Sequence, residues 1–105
     1  MIPNYECKKG NICIYMNKII VTYDLCGNNK NYDGLIKRLE KFPSKLKLNK
    51  SSWLIETKFN CIEVRDILLK EIDSNDLLFV AKLSGEAAWH NSISNSSDIK
   101  TLLEK

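Results

Sequence analysis

From Lys18 onward the hydrophobic period of the chain keeps switching between two residues and about three and a half, and each switch predicts a change of element. Ile19-Ile20-Val21-Thr22-Tyr23-Asp24 is a β-branched run that predicts strand one over about Lys18 to Leu25. It ends on a carboxylate and opens into Gly27, Asn28 and Asn29, residues that favour a turn. Tyr32, Leu35, Ile36, Leu39 and Phe42 then recur at helical spacing, and Pro43 closes that helix. Leu46 and Leu48 alternate with Lys45 and Lys47, predicting a short, half-exposed strand. Trp53, Ile55, Thr57 and Phe59 alternate with Ser52, Leu54, Glu56 and Lys58 in a third strand, and the turn at Asn49 to Ser51 makes the two a hairpin.

Asn60 followed by Glu63 matches a capping box, after which Val64, Ile67, Leu68 and Ile72 line one helical face. Ser74-Asn75-Asp76 breaks this helix, and Leu77-Leu78-Phe79-Val80-Ala81 begins a fourth strand that runs to about Leu83. Gly85 to His90 reads as a structured loop and Asn91 to Ser97, with four serines, as a linker. Ile99, Leu102 and Leu103 then predict a short terminal helix. Residues 1–15, interrupted by Pro3 and Gly10, read as an N-terminal extension in which Ile12-Cys13-Ile14-Tyr15 could add a short strand.

The order strand, helix, strand, strand, helix, strand is the α+β, ferredoxin-like βαββαβ arrangement, a four-stranded antiparallel sheet with two helices on one face. The division is an extension at 1–15, the ferredoxin-like domain at 16–90, and a linker with the short C-terminal helix at 91–105. In that topology strands one and three are central and the lysine-bearing strand two is an edge, where lysine discourages stray pairing. Two helices cover only one face. Ile20, Leu54 and Leu78 or Phe79 are left for the other, which needs water, a terminal segment or a second protomer. A homodimer is the economical expectation.

With 105 residues, 44% apolar and 28% charged, the chain has the size and balance of one globular domain and carries no membrane-length apolar run. The start, Met1 to Glu6, lacks the basic and apolar blocks of a secretory signal, so the expected location is cytoplasmic. Cys7, Cys13, Cys26 and Cys61 form no CxxC pair and have a single histidine to help them, which argues against zinc and for reduced thiols. The net charge of +3 is too small to announce nucleic acid. It is locally concentrated, however: Lys37, Arg38, Lys41, Lys45, Lys47 and Lys50 face only Glu40 in their stretch. A solvated helix end followed by a defended edge strand explains most of them, with a phosphate-facing patch as the rival reading.

Three segments carry a resemblance: Val21-Thr22-Tyr23-Asp24-Leu25, the hairpin strand Ser52-Trp53-Leu54-Ile55, and Asn75-Asp76-Leu77-Leu78-Phe79-Val80 leading into Gly85-Glu86-Ala87-Ala88-Trp89. From about Met16 to His90 the chain resembles the SinR-like, Cas-two-like family of small ferredoxin-fold proteins, relatives of CRISPR-associated Cas-two and VapD-type endoribonucleases. The resemblance implies a homodimer in which Asp24 is the catalytic and metal position, near its twin across the dimer axis. Two facing carboxylates repel unless a cation or a shared proton lies between them, and a cation there would suit Mg²⁺ or Mn²⁺ and hydrolysis of a phosphodiester. One departure is the stretch Asn28-Asn29-Lys30-Asn31-Tyr32-Asp33, where Cas-two proteins often carry arginines; another is the lack of a recognisable C-terminal docking strand.

Around Asp24, the candidate ligand-binding residues are Tyr23, Lys37, Arg38, Lys41, Ser52, Trp53, Glu86 and His90. Glu86 and His90 could join Ser52 and Asp24 in a dimer pocket, while packing is the ordinary role of Tyr23 and Trp53. Three functions stay open. The first, favoured, is a homodimer that handles nucleic acid or nucleotide without catalysis. The second is a Mg²⁺-dependent nuclease built on Asp24. The third is a phage or defence-associated protein that sequesters nucleotides or works as a toxin or antitoxin by binding alone. Fold does not arbitrate among them.

Overall fold

A computed structural model of the chain describes residues 16–26 and 32–104. The N-terminal extension, the turn at Gly27, Asn28 and Asn29, and Cys7 and Cys13 lie outside the described residues. The elements in order are β1 (Asn17–Asp24), α1 (Asp33–Glu40), β2 (Ser44–Asn49), β3 (Ser52–Thr57), α2 (Cys61–Leu69), β4 (Leu77–Lys82) and α3 (Ser96–Glu104). The strands make one antiparallel sheet in the order β2-β3-β1-β4. Apolar β1 and β3 are thus central, and lysine-bearing β2 is an edge.

Register sorts the side chains between two faces. Ile19 stands opposite Ile55, and Val21 opposite Trp53 and Val80. With Tyr23 they form the face on which α1 buries Leu35 and Leu39 and α2 buries Val64 and Leu68. Ile67, Ile72 and Leu78 pack at the margin of this cluster, which assigns Leu78 to the helix side and leaves Phe79 for the other. The two helices begin differently. In α2 the Asn60 side chain accepts from the Glu63 N–H at 2.8 Å while the Glu63 carboxylate accepts from the Asn60 N–H at 2.9 Å, the reciprocal cap read from the sequence. Such a cap contributes about 1 kcal/mol. The eight-residue α1 has no side-chain cap, and a helix so short persists only through the burial of its apolar stripe.

The opposite face is built in rows. Leu46, Leu54, Ile20 and Ala81 line up across all four strands, and Ser52, Thr22 and Phe79 form the next row. The 91–104 segment folds back onto the sheet: Ile99 and Leu102 of α3 are buried against Leu54, with Leu46, Leu48, Leu83, Trp89 and Leu103 around them. The Asn95 side chain accepts from the Asp98 N–H at 2.8 Å, so Ser96 and Ser97 open the helix instead of ending a linker. An amphipathic helix needs a surface for its apolar stripe, and the face that α1 and α2 leave bare supplies one.

Just before α3, the Ile93 N–H and the Ser92 hydroxyl donate to the Leu48 carbonyl at 3.0 and 3.2 Å, and the Ser94 hydroxyl donates to the Lys47 carbonyl at 2.9 Å. These bonds close part of the outer edge of β2. β3 ends up buried on both faces, including Glu56, which pairs with Lys18 at 3.8 Å. No described helix is long and apolar enough to cross a membrane.

Candidate functional site

The tip of β1 is the first place to look. Asp24 leaves the sheet exposed at the carboxyl end of a central strand, opposite Leu77 of β4. It lines a shallow depression of about 250 Å³ with Thr22, Tyr23, Leu77, Leu78 and Phe79. Among the described residues its carboxylate has no hydrogen bond or ion pair, and no group of three His, Cys, Asp or Glu side chains stands ready for a metal. Hard cations such as Mg²⁺ draw on several oxygens, and among the described residues Asp24 has no second carboxylate grouped with it in such a set.

Its neighbours have other work. Tyr23 and Trp53, 7% and 5% exposed, belong to the helix-side core, where the Trp53 Nε1–H donates to the Tyr23 hydroxyl at 3.1 Å. Each ring thereby satisfies the polar atom it buries. Ser52 lies on the opposite face, one row from Asp24, and donates to the Thr22 hydroxyl at 3.1 Å. Glu86 and His90 are exposed in the segment that leads to α3, where the imidazole Nε2 and the Asn91 amide are 3.2 Å apart. Between them Trp89 packs over Ile20, Leu54 and Leu83, rows away from the β1 tip. Within one chain, neither Glu86 nor His90 shares a hydrogen bond with Ser52 or Asp24.

The basic residues gather at the other end of β1, and the structure divides them. Lys45 and Lys47 stay on the β2 edge, where the Lys47 ammonium sits 5.9 Å from the Trp53 ring centre. Lys37 is exposed on α1. Arg38 and Lys41 instead face an open pocket of about 240 Å³ whose other walls are Met16, Phe42, Pro43, Thr57, Lys58 and Phe59. Arg38 lies over the Phe42 ring at 5.1 Å and Lys58 over the Phe59 ring at 5.9 Å. No acidic residue lines this pocket.

Cations in the last turn of a helix answer its dipole, which accounts for Arg38 by itself. It does not account for Lys58, which comes from the end of β3 and precedes the positively polarised start of α2. Sequence reasoning missed Lys58 because it sits in a strand alternation, and nothing local ties residue 58 to residues 38 and 41. Comparison with family models, with curated proteins and with solved structures returns no match for this chain.

Proposed function

We propose that this chain is a ferredoxin-like protein of the Cas-two-like kind, which works as a homodimer and handles nucleic acid or nucleotide by binding it. The element order and the strand order β2-β3-β1-β4 support the fold assignment. The observation that carries the reading is the bare half of the second face. Leu77 and Phe79 are 59% and 64% exposed beside Ile20 and Thr22, with the Asp24 carboxylate at the rim. An apolar strip on an edge strand favours an isologous partner, and two copies meeting there would draw their β1 tips together. Binding is preferred to hydrolysis because, among the described residues, no group of three His, Cys, Asp or Glu side chains stands together to hold a metal. Sedimentation velocity tests the dimer. A two-chain species that becomes a single chain in Phe79→Lys is the expected result, and a wild-type monomer at micromolar concentration would refute it.

One observation favours the nuclease reading: Asp24 is exposed and its carboxylate has no partner among the described residues, as a shared metal ligand would be. That reading expects cleavage of RNA or DNA that depends on Mg²⁺ or Mn²⁺ and disappears in Asp24→Ala. The same background from both proteins would leave the binding reading alone.

A further inference from the structure

We infer that the pocket walled by Arg38, Lys41 and Lys58 holds a backbone phosphate of single-stranded nucleic acid, with the attached nucleotide resting against Phe59 and Met16. The inference rests on the nucleic-acid reading above and gives it a location away from Asp24. Three elements of the argument are independent. The first is charge: a guanidinium and an ammonium from the end of α1 and a second ammonium from just past β3 line one opening, and none has an ion-pair partner among the described residues. Like charges repel, so gathering them without a counter-charge costs stability unless an anion is taken up.

The second is surface chemistry. The floor is apolar and aromatic: Phe42 is buried beneath Arg38, whereas Phe59 is only half covered and Met16 half buried. Aromatic rings beside a basic track are how proteins hold unpaired bases without reading their sequence. The third is size. About 240 Å³ lies below the several hundred that an enclosed small-molecule site takes, and the pocket is open to solvent. It can seat one phosphate and part of one nucleotide while the rest of a strand runs on outside. A duplex, whose bases are already stacked on each other, would present phosphate but no free base face to Phe59.

The test is fluorescence anisotropy with a short labelled oligouridylate and the full chain, over a series of salt concentrations. Wild type binds with an affinity that falls as salt rises. Lys58→Glu and Arg38→Gln each weaken binding by about tenfold and lower the salt slope by about one. Amide shifts on titration centre on Arg38, Lys41, Thr57, Lys58 and Phe59. Circular dichroism melts of the exposed Lys58→Glu variant and of Lys41→Glu keep a folding defect from imitating the result.

Unchanged binding in the folded variants overturns the pocket and leaves the nucleic-acid reading standing. No binding of any oligonucleotide by wild type overturns both. Inorganic phosphate or uridine monophosphate competing as well as the oligonucleotide, or a duplex of equal charge binding more tightly, overturns the strand assignment.

Discussion

The face of the sheet turned away from α1 and α2 has two unlike halves. Over β2 and β3 it is closed: α3 lays Ile99 and Leu102 on Leu54, which is 2% exposed, and Ser92 to Ser94 bond to the outer carbonyls of β2. Over the tip of β1 and the start of β4 it is open, with Leu77 and Phe79 in solvent and, among the described residues, β4 pairing only with β1. The two sheet edges follow the same division. β2 carries lysines and a cover, the two usual defences of an edge, whereas β4 offers five apolar residues before its first charge at Lys82. The same chain therefore contains a worked example of how it protects a strand and a strand it leaves unprotected. The contrast is the observation on which the proposed homodimer rests.

The largest effect expected from breaking this contrast is in the closed half. Leu102→Ala leaves a hole under α3 and lowers unfolding free energy by about 2–5 kcal/mol, read from urea denaturation. Leu77→Ala, in a protein held monomeric by dilution, changes stability by less than about 0.5 kcal/mol because its side chain is already wet. Similar losses from the two substitutions would mean that the halves do not differ. A smaller but sharper effect comes from the double substitution of Leu77 and Phe79 by lysine. It copies the β2 defence onto β4, leaves the melting midpoint of the dilute protein within a few degrees, and abolishes the proposed self-association on a sizing column. The smallest effect is at the covered edge. Ser94→Ala removes one bond to the Lys47 carbonyl, costs about 1 kcal/mol, and raises amide exchange in the 92–94 segment.

Where the determinants were local, the sequence was sufficient. Asn60 and Glu63 are three residues apart, and the cap they form needs nothing else. The lysine alternation of β2 and the β-branched run of β1 were enough to tell edge from centre. The boundaries moved by small amounts: β1 starts at Asn17 and ends at Asp24, and α1 stops at Glu40, two residues short of the Phe42 that continues its pattern.

What stayed hidden depended on distance. Ile99, Leu102 and Leu103 announced a helix, but its seat is Leu54, more than forty positions earlier in the chain, and no pattern links them. Tyr23 and Trp53 were candidates for ligand contact because both ring types often hold ligands; their mutual hydrogen bond is visible only once β1 and β3 are in register. Of the basic stretch, folding kept Arg38 and Lys41 together, moved Lys45 and Lys47 to another surface, and brought in Lys58.

The Asp76 carboxylate accepts from the Cys26 N–H at 2.7 Å and from the Tyr32 hydroxyl at 3.1 Å through one oxygen, and from the Asp73 N–H at 2.8 Å through the other. One side chain thus knots together the exit of β1, the entry of α1 and the approach to β4. Three stretches far apart in sequence share a single fastening, and a change at Asp76 is felt at all of them.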